Sequence, residues 1–139
     1  MIKIELARLD NHFCMQATNE GGNTVVMDGA PADGGQNQGM RPMQVLLAAM
    51  GGCSAIDVVS ILKKQRVELQ DLKITLTGER EKDKVPALYT AVHAHFRLFG
   101  NIELEKAQKA VALSIEKYCS VAKTLEPTAK ITHSVEVVA

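Results

Sequence analysis

Apolar residues recur along this chain at two spacings, which predict two kinds of element. Ile2, Ile4 and Leu6 alternate with Lys3 and Glu5, the two-residue period of a half-buried strand. After an Asp10-Asn11 turn, Phe13, Met15 and Ala17 alternate with His12, Cys14 and Gln16. A second turn over Asn19–Asn23 leads to a third short strand at Thr24–Met27. The three strands predict an antiparallel meander. Gly29–Gly39, GAPADGGQNQG, is polar and glycine-rich with nothing to bury, which predicts a mobile loop. It carries no phosphate-binding motif.

The pattern then changes. From Arg41 to Arg66 apolar residues cover nearly the whole surface of a predicted helix: Val45, Leu46, Leu47, Met50, Ile56, Val58, Val59, Ile61 and Leu62. A helix apolar all round is buried. Pro42 suits its first turn, where a missing N–H goes unnoticed, and Lys63, Lys64 and Arg66 complement the dipole at its end. Gly51-Gly52 weaken its middle but admit another backbone or helix at close range, and Cys53 follows directly.

Past Gln65 the two-residue period returns. Leu72, Ile74 and Leu76 mark one strand, and GEREKDK follows as a charged turn or an extension of that strand. In the next strand Leu88, Thr90, Val92, Ala94 and Phe96 line one face, and Tyr89, Ala91, His93, His95 and Arg97 the other. Leu104, Ala107, Val111, Ile115 and Tyr118/Cys119 then recur at helical spacing from about Glu103 to Tyr118. Pro127 limits whatever helix CSVAKTLE forms from Cys119 onward, and Ile131, His133, Val135 and Val137 predict a final edge strand.

The order β-β-β-α-β-β-α-β, without repeat or linker, predicts an α+β fold with one core and a single domain over residues 1–139. So few short strands cannot cover the central helix from both sides, which predicts a partner subunit, most simply in a two-fold homodimer.

Composition narrows the function classes. Sixteen basic and 16 acidic residues give a formal net charge of zero. No basic cluster is interleaved with aromatics, which excludes nucleic acid as an expected partner. Gln44, Ser54, Asp57 and Ser60 interrupt the long apolar run, which therefore reads as a core helix with no membrane partner. The first ten residues hold no apolar leader segment. Three cysteines without a CxxC pair make no disulfide framework. A cytoplasmic location follows, where a disulfide is more often catalytic than structural.

Cys53 and Cys119 are the candidate chemistry. Both fall on predicted buried helical faces, so two packing cysteines is one reading. The other is a reactive pair, in which one thiolate opens a peroxide O–O bond, becomes a sulfenic acid and condenses with the second thiol. That chemistry calls for a nearby cation. Arg41 lies three turns away on the same helix, leaving Arg8 and Arg80 as alternatives, while Asp57, one turn after Cys53, opposes a thiolate if it shares that face and no cation pairs with it. His93 and His95 share a strand face but lack an evident third metal ligand, so no metal and no cofactor is expected. His12 and His133 stand alone, and Cys14 reads as structural.

Several of these residues resemble the OsmC/Ohr family of thiol-dependent hydroperoxide reductases. Pro42-x-Gln44-x-Leu46, Ala48-Ala49 and Cys53 are similar to that family's P-x-Q-L-x-A-A…C helix. Tyr118-Cys119-Ser120-Val121 resembles its second-cysteine motif, and the strand, glycine and helix between them match its layout. The resemblance covers Arg41 to Val138. It implies antiparallel sheets wrapped around a long buried central helix in an intertwined homodimer. It also implies Cys53 as the peroxidatic thiol, Cys119 as the resolving thiol and Arg8 as the charge partner. The implied substrates are organic hydroperoxides, entering an apolar pocket lined by Met43, Leu46 and Met50, with a dithiol such as a lipoylated protein as reductant. Two positions depart from the family pattern: Met43 stands where its peroxidases carry Glu, and Ser120 where they carry Pro. The Y-C-S-V sequence places the chain nearer an OsmC-like branch that shares it. The same fold without turnover, a dimer binding a small apolar ligand or sensing redox state, is the alternative.

Overall fold

A computed structural model describes all residues, Met1–Ala139. Its element order is β1 (Ile4–Arg8), β2 (Met15–Asn19), β3 (Thr24–Met27), a 3-10 turn (Pro31–Asp33), α1 (Pro42–Lys64), β4 (Asp71–Arg80), β5 (Tyr89–Phe99), α2 (Leu104–Leu113), a π-helical turn (Ser114–Tyr118), α3 (Ser120–Leu125) and β6 (Lys130–Val138). The predicted succession is present, and the π turn and α3 are added to it. The chain divides into two compact units, Met1–Leu46 and Leu47–Ala139, each holding one three-stranded sheet.

In the first unit β1, β2 and β3 pair antiparallel, as the alternation predicts. The expected half-burial of β1 is not found. All five of its residues are exposed, Leu6 at 60 %. Gly29–Gly39 also departs from the mobile loop expected of it. The buried Asp28 carboxylate accepts N–H bonds from Gly29 (2.7 Å), Gln36 (3.2 Å) and Gln38 (3.0 Å). These bonds, that of Gln38 foremost, hold its carboxyl below the usual range against the opposing effect of burial. The closure is so tight that a Cβ at Gly35 would overlap the Gly29 carbonyl. A polar loop has no apolar core to organise it; one buried carboxylate supplies the organisation here.

The helix α1 is set at both ends by local chemistry. The Gln44 side chain accepts the Arg41 backbone N–H at 3.0 Å, one half of a capping box. At the other end Arg66 turns left-handed (φ 59°). Val67 N–H then bonds the Leu62 carbonyl and Arg66 N–H that of Lys63, a Schellman closure.

In the second unit β4 pairs antiparallel with β5, but β5 pairs parallel with β6. This corrects the expectation of wholly antiparallel sheets. The segment from α2 to α3 is a crossover that brings the chain back to the same end of the sheet, as a parallel pair requires. In register, Leu72, Ile74 and Leu76 meet Leu98, Phe96 and Ala94, and these meet Val137, Val135 and His133, giving one apolar face. A bulge between Glu79 and Arg80 shifts the phase at the start of β5. Tyr89 is consequently buried, against the face assigned to it from alternation, and its ring lies over Gly78.

Contact of α1 with this sheet runs through Gly51, where an added Cβ would come within 2.8 Å of the Leu76 side chain. Along α1 only Met50, Gly51, Ser54, Val58 and Leu62 are buried, one stripe at a spacing of about four residues. The expectation of all-round burial is thus not met within a single chain. Ile56 is 72 % and Val59 46 % exposed, and a Cβ at Gly52 would meet nothing within 4 Å.

Candidate functional site

The second unit carries the predicted cysteines on two different elements. Cys53 sits mid-α1, half-buried; Cys119, fully buried, ends the π turn and caps α3. An ordinary α-helix continued from α2 would carry Tyr118 toward the core, one of the two residues with which the sequence pattern can close the apolar face. The extra residue of the π turn changes the phase. Cys119 N–H bonds the Ser114 carbonyl five residues back, at 2.7 Å. Ser114, Ile115 and Cys119 are buried as a result, and Tyr118 is half-exposed. Such π turns often occur at functional sites because they aim a single side chain.

The outcome is a cluster in which the Cys53 and Cys119 sulfurs and an Asp57 carboxylate oxygen lie within 4.8 Å of one another. The sequence separation of 66 residues between the cysteines is closed by tertiary structure alone. The Cys119 S–H points at the Met50 carbonyl (3.8 Å), and its sulfur accepts the Ala122 N–H (3.4 Å). Burial, reinforced by Cys53, pushes the Cys119 thiol up to about 11, against the lowering effect of the Ala122 and Val121 N–H groups. No cation is among the groups that set it.

Beside the cluster the buried Ser54 and Ser114 link to the half-buried Asp57, a connection that sequence reasoning missed. The Ser54 and Ser114 hydroxyls lie 2.7 Å apart, and Ser114 Oγ is 3.0 Å from Asp57 Oδ2 and 3.3 Å from the Ser54 carbonyl. One signal was available. Met50, Ser54, Val58 and Leu62 form a single i, i+4 line, and a hydroxyl in such a line needs a partner. Asp57 also opens onto a groove of about 460 Å³ shared with Ser60, Ile61, Lys64 and Tyr118. Gln65 borders the same groove, with a buried Oε1 that has no hydrogen-bond partner.

The other expected site residues are not in this cluster. Met43 and Leu46 are half-buried on the first turns of α1, and Met50 is fully buried one turn later. Arg8 lies exposed on β1 opposite Met15. Arg41 is held by the Gly39 carbonyl and Asn37 Oδ1, both at 2.7 Å, and Arg80 by the Ala87 carbonyl at 3.1 Å. Cys14 is a buried residue of the first unit, its thiol raised by burial and then by the charges of Asp28 and Asp10.

His93 and His95 do share the outer face of β5, in a ladder with β6. The His93 ring contacts Thr132 (2.7 Å) and Ser134 (2.9 Å). His95 contacts Ser134 (2.6 Å) and Glu136 (3.5 Å). Arg97 closes the row on Glu136 at 2.8 Å.

Comparison with known proteins identifies the chain's family and fold. Protein YhfA of Escherichia coli K12 is 46 % identical over 119 residues, 85 % of each chain. The crystal structure of a hypothetical protein from Aquifex aeolicus VF5 superposes with a TM-score of 0.85 at 33 % identity, covering 99 % of this chain and 96 % of that one. The organic hydroperoxide resistance protein OhrB of Bacillus subtilis shares the fold, with a TM-score of 0.68 at 20 % identity over 98 % of both chains. The family model described as "OsmC-like protein" matches residues 35–134, spanning α1, both cysteines and most of β6. On that match and the YhfA likeness, the chain belongs to the OsmC-like family.

Proposed function

We propose that this protein is a thiol-dependent peroxidase that reduces organic hydroperoxides through Cys53 and Cys119. The observation that carries the reading is the approach of the two sulfurs to within 4.8 Å of each other. Their environments divide the labour. The half-buried Cys53 is the thiol a peroxide can reach, whereas Cys119 is wholly buried and stays protonated near neutral pH. In the first step the Cys53 thiolate attacks the distal peroxide oxygen, the O–O bond breaks, and the alcohol leaves with one proton. Cys119 then attacks the sulfenic acid, forming the disulfide and releasing water. An external dithiol, such as a lipoylated protein, is oxidised as it restores both thiols.

In this reading Met43, Leu46 and Met50 line the substrate pocket, and Arg8, which lies outside the cluster of one chain, meets Cys53 as its charge partner at the subunit interface. The protein acts in the cytoplasm as a homodimer. The uncovered Ile56, Val59 and Gly52 of α1 support the dimer, since exposed apolar residues along one helix face suit a second subunit. Mass spectrometry after one equivalent of cumene hydroperoxide tests the chemistry. A Cys53–Cys119 disulfide in the wild type and a stable sulfenic acid in Cys119→Ser are expected; neither species forming rejects it.

A second reading, a non-catalytic dimer that binds a small ligand or senses redox state, is favoured by Met43 in place of the family glutamate and by a carboxylate beside the sulfurs. A catalysed rate no greater than that of free dithiothreitol would select it.

A further inference from the structure

We propose that Cys53, Asp57 and Cys119 bind one thiophilic divalent metal ion of the zinc and cadmium class. Three features of the cluster point to it. The ligand atoms already lie within 4.8 Å of one another. A tetrahedral zinc with Zn–S bonds of about 2.3 Å places its ligands about 3.5–3.8 Å apart, so side-chain rotations of about 1 Å complete the geometry. Cys53 and Asp57 stand at i and i+4 on α1, the helical spacing that puts two ligands on one face.

The support around the ligands is also in place. Ser114 bonds Asp57 Oδ2 and is itself held by Ser54, the kind of outer partner that orients a ligating carboxylate. The groove that Asp57 borders gives an ion a route in on the carboxylate side, and water would complete the four ligands. Two thiolates and one carboxylate select zinc or cadmium over magnesium or calcium, which prefer oxygen. The His93–His95 ladder offers no comparable site, because hydroxyls and Glu136 already occupy its ring nitrogens.

Binding moves no electrons. The ion takes the place of the two thiol protons, which leave to water, and the carboxylate binds as it stands. A Cys53–Cys119 disulfide has no thiolate to offer, so metal binding and oxidation of the pair exclude each other. The metal site stands on this geometry independently of peroxidase turnover; its role in inhibiting that turnover rests on the reading above.

Reduced full-length protein dialysed against cadmium chloride provides the test. The expected result is one cadmium per chain, with thiolate-to-cadmium charge-transfer absorption and release of two protons per ion. Cadmium should displace zinc from zinc-loaded protein. Cys14→Ser should bind as the wild type does. Cys53→Ser and Cys119→Ser should lose the charge-transfer band, and Asp57→Asn and Ser114→Ala should weaken binding by about 10–100-fold. Thiol-alkylated wild type, which needs no substitution, should bind no cadmium. The proposal is overturned if reduced wild type binds no more cadmium than the alkylated protein, or if Asp57→Asn binds as tightly as wild type. Peroxide consumption, assayed on metal-free protein, separates the two readings. Metal binding without turnover leaves the site standing, and turnover without metal binding removes the site alone.

Discussion

Two polar networks flank the sheet of the second unit, and they differ in what they do for the molecule. On the outer face Thr132, His93, Ser134, His95, Glu136 and Arg97 form an unbroken row of contacts between 2.6 and 3.5 Å. Beside the sulfurs there are only Ser54, Ser114 and Asp57. The outer row has more ionisable groups and more bonds, yet its members are half-exposed: Arg97 and Glu136 keep 44 % and 51 % of their side-chain surface in water. Water competes for each of these bonds and screens each charge, so an exposed pair contributes about 0–1 kcal/mol. The inner trio has two hydroxyls with no water to turn to. A lost partner there costs the desolvation of the group left behind, about 1–3 kcal/mol. Burial, not the number of bonds, decides which network positions the chemistry.

The largest expected effect is on the reaction. Cys53→Ser should abolish hydroperoxide-dependent oxidation of a dithiol, measured as loss of substrate peroxide. A residual rate above a tenth of wild type would show the proposed nucleophile to be wrong. Next is stability. Ser114→Val should lower unfolding free energy in urea by about 1–3 kcal/mol, since it strands Ser54 Oγ and removes the Asp57 partner. It should also slow Cys53–Cys119 disulfide formation. The double replacement Ser54→Ala with Ser114→Ala should cost less than the sum of the two single ones, with a coupling of about 0.5–3 kcal/mol. Strict additivity would mean the two hydroxyls do not act together.

The pH dependence sharpens the contrast further. The Cys119 thiol has an ordinary value of 9.0 and stands at about 11 in the folded chain. Above about pH 9 the unfolded chain therefore releases this proton before the folded one does. Stability present below that pH should fall as pH rises toward 11. Wild type should show this fall in denaturant titrations, and Cys119→Ala should lack its share of it. The smallest effect belongs to the outer row, where Arg97→Ala should shift stability by no more than about 0.5–1 kcal/mol. A larger loss would mean that this face is covered in the assembled protein.

Local pattern accounted for much of the fold. The two-residue alternation located five of the six strands within a residue or two, because a strand with one wet face must alternate. It put His93 and His95 on one side of β5, where the register with Thr132 and Ser134 places them. The long apolar run located α1, whose observed bounds are Pro42–Lys64. Alternation failed at Tyr89, since a bulge is set by the partner strand. It failed at Gly29–Gly39 because one aspartate outside the glycine run organises the loop through backbone N–H groups. Helical spacing left Tyr118 and Cys119 as alternatives for the end of the apolar face, and the π turn selects Cys119.

The sequence by itself determined the order of elements, the long helix with Cys53 at its middle and, through its motif residues, the family. Those properties reside in neighbours along the chain, where spacing and side-chain chemistry act directly. Only the tertiary structure decided that β6 runs parallel to β5 and that Ser114 joins Ser54 to Asp57. It also decided that two sulfurs 66 residues apart share one small cluster with a carboxylate. Each of these depends on which distant groups exclude water together, and the crossover and the one-residue phase change of the π turn, not any local preference, bring those groups into contact.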